Sequence, residues 1–555
     1  MTKQELGERV KSAIGVKGDF KTAIVPMINY SYANMFMGGA GYIISMYFTI
    51  FLTDVVNLEM KQAGIIVMLA TLWDAVTDPA MGIITDRTRS KYGKHRRYLL
   101  WGIPLMFVSY TLLWNSYGLS GKAAMIYFVL VYMLYKTAYT VIGVPHTAML
   151  PELAPEYDLR TQYNSMGYLF NSAGMVPSYL LAVAVLYIFG SGDKINSGSR
   201  APFLTIGIVL SVFYAVAVFL TFRFTKEPSS LDLKTEKLDL KYILREYILV
   251  FKNRSFRQYF FMSVAYQFAV GFYGNTKVYY IKYLANQYGM YALYNAVAGI
   301  AEASAFPLNY ALTMKFGKKR CGAIVTPLMV AGLAIGLVMQ TSHSGGTWNW
   351  LWIGLMMLSM ILFPFGMSGL GFVCTNVFPD LTDVDELITG RRREGVIATF
   401  STLIKKSIAG VMAALVMFVL QSFGLVTGDT VSSFEKATGE LYAQTSQAVF
   451  GVRLCVAIIP IAAAIIALLL LRSFKMTKED HALIRAAVAT KKEFGSVLLT
   501  QEQIERIELV SGQKLEKTWL GVSSPDGHPI ETNEAGEYVI LLKSEAEKEK
   551  EKSNG

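Results

Sequence analysis

Long apolar runs separated by short polar breaks dominate the chain, and each run has the length of a membrane crossing. They fall at about residues 29–52, 62–85, 98–117, 122–149, 165–189 and 202–224, then at 257–284, 290–314, 321–341, 349–376, 396–423 and 449–473. A helix needs about 20 residues to cross a hydrocarbon core of about 30 Å, so each run suffices for one span. The pattern predicts an all-α membrane protein with twelve transmembrane helices in two six-helix halves. The longest internal connection divides the sets. The expected parts are therefore an N-terminal half at 1–224, a central loop at 225–256, a C-terminal half at 257–474 and a polar tail at 475–555.

The polar breaks alternate in charge. Lys and Arg gather in the N-terminal segment, around Arg87 to Arg97, in the central loop, at Lys315 to Arg320, at Arg391 to Arg393 and in the tail. The breaks near Val55, Ser120, Ser342 and Gly428 hold few. By the positive-inside rule the chain is a multi-pass cell-membrane protein with both termini cytoplasmic. Tyr92-Gly-Lys-His-Arg96 after span 2 is echoed by Phe316-Gly-Lys-Lys-Arg320 after span 8, six spans later. The repeat points to two related halves, a recurring transporter design. In the tail, Thr477-Lys-Glu-Asp480 and Thr500-Gln-Glu-Gln503 read as capping boxes opening two short helices. The Lys-Glu run from Glu545 to Lys552 reads as a solvated end.

Composition agrees with this reading. Hydrophobic residues make up 53% and charged residues 17%, with a mean hydropathy of +0.37, too apolar for a soluble protein of this length. The net charge of +11 does not imply nucleic acid, because the basic residues lie in short clusters between spans. They suit an anionic membrane surface. Cys321, Cys374 and Cys455 lack metal-ligand spacing and read as small core residues. No cleavable signal is expected at the N-terminus, and no nucleophile-base pair, metal cluster or phosphate cradle points to an enzyme or to a bound cofactor.

The candidate chemistry lies in span 2. Asp74 and Asp78 are one helical turn apart inside an apolar run, so both project from one face. Even one carboxylate at bilayer depth costs roughly 2.5–3.5 kcal/mol on insertion scales. A matched pair implies a water-filled or ion-binding interior, or else neutralisation by a lysine elsewhere. The basic loop beginning at Asp86 and Arg87 reads as a cytoplasmic gate and topology anchor.

Trp73, Asp74, Asp78 and Pro79, followed by Gly82, Asp86, Arg87, Gly93, Arg96 and Tyr98, together with Thr389-Gly-Arg-Arg-Arg-Glu-Gly395, closely resemble the glycoside-pentoside-hexuronide:cation symporters. This family is the melibiose-permease-like branch of the major facilitator superfamily, and the resemblance covers about residues 20–475. It implies a secondary active transporter that moves a sugar, glycoside or uronide by alternating access, coupled to Na⁺ or H⁺. It assigns the coupling cation, Na⁺ included, to Asp74 and Asp78 with Thr140 of span 4, and it makes Lys406 of span 11 their charge partner. Lys405 projects about 100° away and is the weaker partner. Arg391, Arg392, Arg393 and Glu394 are expected either to gate the second half as Asp86 and Arg87 gate the first or to anchor to anionic headgroups.

The sequence departs from the sugar site of that family. Gly38 stands where span 1 carries a sugar-binding aspartate, Gly143 where span 4 carries a second, Gly167 where span 5 carries an arginine, and Thr147 where span 4 carries an aromatic platform. Other polar groups appear instead: Lys136, His146, Tyr266, Gln267, Tyr273, Asn275, Lys277 and Glu302. All but Lys277 are the principal substrate-cavity candidates. Lys136 lies one turn before Thr140 on the same face. It fits an anionic or atypical substrate, a share in the cation's role, or simple neutralisation of Asp74, Asp78 or Glu302. The expected partners are a small-molecule substrate, the coupling cation and the lipid bilayer, not nucleic acid. A lysophospholipid carrier of the same superfamily and a non-transporting membrane sensor signalling through the tail are the alternatives.

Overall fold

The computed structural model describes residues 24–154, 157–189, 195–227, 250–251, 253–338, 343–344, 347–391, 394–438, 442–530 and 538. The charged N-terminal stretch, most of the 225–256 connection and the Lys-Glu run at 545–552 lie outside them. The described chain is overwhelmingly helical because its apolar runs can satisfy backbone polar groups within one segment. Its main helices are α1 (Val25–Ile43), α2 (Met60–Asp86), α3 (Arg96–Leu113), α4 (Gly121–Ala148), α5 (Tyr157–Ile188), α6 (Arg200–Phe224), α7 (Arg254–Tyr279), α8 (Tyr291–Val338), α9 (Trp350–Thr389), α10 (Glu394–Ser422) and α11 (Ile459–Ser473). Among the described residues, eight helical stretches are long and apolar enough to cross a membrane. The expected runs 29–52, 98–117, 257–284 and 290–314 are helical without being among the eight. Polar groups such as Lys277, Asn295 and Glu302 dilute two of them.

Runs 290–314 and 321–341 are two helices, carried here under one label, α8, that meet at a kink at Gly317, with φ 80° and ψ 165°. That backbone region is essentially open to glycine alone. Gly93, at the matching place in the sequence repeat, also has positive φ, at 90°.

The repeat extends to the opposite ends of the helices. A wide turn at Phe51–Val55 follows α1, with Val56 N–H bonded to Phe51 O at 3.0 Å and Leu58 N–H to Leu52 O at 3.0 Å. A wide turn at Tyr280–Leu284 ends α7 in the same way, with Ala285 bonded to Tyr280 at 2.9 Å and Gln287 to Ile281 at 2.9 Å. Asn57 and Asn286 then occupy the same place with φ of 59° and 51°. Asparagine tolerates this left-handed conformation better than most residues.

The helices pack as two groups. In the first, α1 lies against α5 and α6, α4 against α2 and α3, and α3 against α6. Close approach of α1 to α5 depends on small residues: a Cβ on Gly174 would lie 2.2 Å from the Met35 carbonyl oxygen. In the second group, α7 packs on α9, α10 and α11, and α8 packs on α9. The α2–α10 pair joins the groups. Large apolar side chains such as Trp101, Ile126, Leu130, Leu180 and Ile300 face outward, as a lipid-facing surface requires.

The tail is structured as far as it is described. Helices α12 (Lys478–Phe494) and α13 (Gln501–Ser511) begin at Thr477 and Thr500, each with the reciprocal capping box its sequence predicts. Among the described residues there are four short strands: β1 (His343–Ser344) antiparallel to β2 (Thr347–Trp348), and β3 (Val497–Leu498) parallel to β4 (His528–Pro529). The tail docks on the basic-loop end of the second group through the buried Leu483, Ile507, Val510, Leu515 and Leu520. His481 Nε2 meets Asp383 at 2.7 Å, Ser255 donates to Val510 O at 2.7 Å, and the Trp519 N–H donates to Ile388 O at 2.9 Å.

Candidate functional site

Helix α2 brings Asp74 and Asp78 to the seam where it meets α10. Pro79 follows Asp78 and has no N–H, so the Ala75 carbonyl loses its ordinary helical donor within the turn that separates the two acids. Two hydrogen bonds tie α2 to α4: Trp73 Nε1 to Thr137 Oγ1 at 2.9 Å, and Thr77 to Thr140 at 3.3 Å between hydroxyls. These fix Thr140 between the acids, where its oxygen lies 3.1 Å from Asp74 Oδ1 and 2.8 Å from Asp78 Oδ1.

Two lysines occupy the other carboxylate oxygens. Lys406 of α10 reaches Asp74 Oδ2 at 2.9 Å and also bonds Asp78 Oδ2. Lys136 of α4 stands 3.6 Å from Asp74 Oδ2. Two acids thus face two ammonium groups, and among the described residues each of the four oxygens has a partner. Lys405, next to Lys406, turns away and lies over the Tyr259 ring at 6.0 Å. One turn of a helix cannot aim adjacent residues at one target.

The remaining expected residues divide. Glu302 is exposed on α8, within electrostatic reach of Lys277, Tyr42 and Tyr266. Lys277 donates to Asn295 Oδ1 at 2.5 Å. Gln267 is half-buried and lines a small cleft with Tyr259, Ser263 and Lys405. Tyr266 turns toward α9, its hydroxyl 3.3 Å from Met367 O, and Tyr273 packs on Phe363 with ring centroids 3.8 Å apart. Asn275 donates to Gly271 O of its own helix at 2.8 Å. His146, expected at the cavity, is instead packing between α4 and α1: it stacks on Tyr30 at 4.3 Å, Nε2 lies 2.9 Å from Tyr30 O, and the residue is 1% exposed. Burial of an aromatic ring against α1 outweighs exposure to a wet cavity. Arg87 is exposed. Arg392 and the side chains of Asp86 and Glu394 lie outside the described residues.

Gly38, Gly143 and Gly167, expected to stand in place of polar residues of the family's sugar site, are packing positions. A Cβ on Gly38 would lie 2.5 Å from the Asn171 carbonyl oxygen, and one on Gly143 would lie 2.6 Å from Met37 Cε. At Gly167 the nearest atom is Asn34 Nδ2, at 3.1 Å.

Two polar centres escape a sequence reading. At the end of the bundle away from the basic loops, the fully buried Asp54 accepts from Lys282 and Tyr283 of the second group. Thr53 lies 2.7 Å from Asp54 Oδ1, Lys282 also donates to Ile195 O at 2.9 Å, and Gly428 N–H donates to Tyr283 at 3.2 Å. An acid within Ile50-Phe-Leu-Thr-Asp-Val55 and a lysine within Tyr280-Ile-Lys-Tyr-Leu284 were the available signals. At the basic end, Glu227 caps α3: its carboxylate accepts the N–H groups of His95 at 3.0 Å and Arg96 at 2.7 Å and bonds His95 Nδ1 at 2.7 Å. Burial would raise its pKa, but these hydrogen bonds hold the carboxyl below the usual range. Gly93 makes room, since a Cβ there would lie 2.3 Å from Glu227 Oε2.

Two packed helix groups with charges buried at their seam, in a chain with outward-facing apolar helices, define a multi-pass secondary transporter of the major facilitator type rather than an enzyme. The sequence matches the MFS/sugar transport protein family over residues 29–478, and the chain belongs to that family. It is 24% identical over 535 residues to an uncharacterized symporter of Synechocystis sp., covering 81% of this chain and 94% of the relative. The isoprimeverose transporter of Lactiplantibacillus pentosus is 24% identical over 395 residues, covering 70% and 78%. Among solved structures, the nucleoside transporter NupG aligns with a TM-score of 0.56 at 12% identity, covering 82% of this chain and all of that one, which is a likeness of fold.

Proposed function

We propose that this protein is a symporter for a sugar, glycoside or uronide, driven by a monovalent cation, Na⁺ or H⁺, that binds at Asp74, Asp78 and Thr140. The two helix groups are the six-helix halves of a twelve-span carrier with both termini in the cytoplasm. The observation that carries the reading is the four-way contact among Asp74, Asp78, Thr140 and Lys406. Both acids belong to one helix group and the competing ammonium to the other, which supports the reading that ion binding and the relative position of the halves are one equilibrium.

The residues perform the cycle as follows. When the ion leaves, Lys406 satisfies both carboxylates and spares them an unpaired burial. When the ion returns it displaces Lys406, and ion and substrate together stabilise the occluded state through which the halves rock about the seam. Glu302 and Lys277 of α8 and α7 supply the second half's polar groups to the substrate. The Asp54–Lys282–Tyr283 network holds the extracellular end shut in the conformation described.

The test is uptake in vesicles of a panel of neutral glycosides and uronides, with Na⁺ and H⁺ gradients imposed separately. At least one panel member accumulates against its gradient, and Asp74→Cys and Asp78→Cys each abolish that accumulation. Persistence of accumulation in both variants removes the assignment.

A further inference from the structure

Asp74 and Asp78 differ in their surroundings. The Asp74 side chain is 3% exposed and has two ammonium neighbours, Lys406 at 2.9 Å and Lys136 at 3.6 Å. Asp78 is 23% exposed, and among the described residues its cationic partner is Lys406. Lys136 belongs to the same helix group as Asp74, and α2 and α4 are pinned together by the Trp73–Thr137 and Thr77–Thr140 bonds. Its ammonium lies over the rings of Tyr132 at 5.7 Å and Tyr139 at 6.0 Å, which hold it in place. Rigid-body rocking of one group against the other therefore carries Lys136 along with Asp74 but withdraws Lys406 from both acids.

We propose that Lys136 is a built-in cation for Asp74, so that Asp78 alone exchanges the coupling ion and that ion is a proton, not sodium. The proposal rests on the reading of this cluster as the coupling site. Sodium needs several oxygen ligands at once, and between these acids it would share Asp74 Oδ2 with an ammonium that cannot retreat without breaking contacts inside its own half. Two positive charges at that separation in a poorly polarisable interior repel strongly. A proton needs one oxygen. It arrives from water through the exposed side of Asp78, an O–H bond forms there, and the hydrogen bond from Lys406 breaks. The neutral Asp78 acid and the Asp74–Lys136 ion pair then leave the site without net charge after Lys406 withdraws. Among the described residues, the charged and titratable groups around the pair are Lys406 against both acids, Lys136 against Asp74, and Tyr139 within electrostatic reach of all four, with Tyr132 beside Asp74.

The first test needs no substrate. The purified full chain is melted in NaCl and in choline chloride at equal ionic strength, so that general screening is matched. The wild type gives the same melting curve in both salts. Lys136→Ala, and the near-isosteric Lys136→Met in case the shorter side chain impairs folding, gain a sodium-specific stabilisation, with apparent sodium affinity raised by at least about tenfold. Adding Asp74→Asn to Lys136→Met removes it. Sodium stabilisation of the wild type equal to that of the variants overturns the proposal, as does a sodium response in neither Lys136 variant. A response in Lys136→Met that survives Asp74→Asn places the ion elsewhere and overturns the coupling-site reading itself. In vesicles a pH gradient alone drives uptake of the carried panel member; a sodium gradient that does so instead overturns the proposal while leaving the symport reading intact.

Discussion

Asp54 and Lys282 meet at the end of the bundle away from the basic loops, each placed there by the wide turn that closes its helix: Phe51–Val55 after α1 and Tyr280–Leu284 after α7. The extra residue in such a turn rotates a side chain off the regular helical stripe, and here it aims an acid and a base from opposite helix groups at one point. Removing one partner of a buried ion pair costs about 3–5 kcal/mol because the other charge is left unpaired.

Asp54→Asn and Lys282→Met are expected to open this end. The population open to the outside should rise by well over tenfold, read as labelling of a cysteine introduced at Gly428 by a membrane-impermeant thiol reagent. The exchanged pair Asp54→Lys with Lys282→Asp restores protection if the ion pair itself is the latch. Unchanged labelling in both single variants would show that packing alone closes this end.

Gly38→Asp, which reinstates the acid of the family's sugar site, is expected to damage the fold rather than create a sugar site. The new Cβ meets the Asn171 backbone 2.5 Å away, and overpacking of this kind costs typically about 1–3 kcal/mol. Lower thermal stability without any gain of melibiose binding by calorimetry is the predicted result.

Glu227→Gln removes a charged acceptor for two N–H groups and His95, each hydrogen bond to such a group contributing about 1.5–3 kcal/mol. The folded carboxyl titrates below its ordinary value of 4.5. Its contribution is therefore complete above that value and is lost as pH falls through the lower folded value. The stability gap between wild type and Glu227→Gln, measured by thermal unfolding, should narrow on acidification below that point and stay constant at neutral pH.

Leu520→Ala is expected to release the tail. Leu520 is 1% exposed and its N–H bonds Leu387 O at 3.3 Å, and such a truncation costs about 2–5 kcal/mol. Limited proteolysis should cleave the variant between residues 495 and 530 much faster than the wild type, with the membrane part left whole.

The features that were legible in the sequence share one property: they are periodic or local. Apolar run length gave the helices, the alternation of Lys and Arg gave the two ends, and Thr477 and Thr500 gave the starts of the tail helices. The pairing of Asp74 with Asp78 and the opposite aims of Lys405 and Lys406 follow from one turn of helix. These depend on backbone geometry within a few residues, which the chain specifies by itself.

What only the tertiary structure decided was the meeting of residues distant along the chain. Lys282 and Asp54 are 228 positions apart and Glu227 lies 131 from Arg96; the meeting of Lys406 with Asp74, 332 apart, is implied by the family resemblance and not by local pattern. No local preference encodes those distances, because they depend on how whole helices cross. His146 shows the same limit in reverse: a polar residue in a span reads as a cavity group, yet the crossing of α1 over α4 seals it against Tyr30. The sequence supplied the charges at the seam, and helix packing placed Lys136 in the same helix group as Asp74 and brought Lys406 to it from the other group.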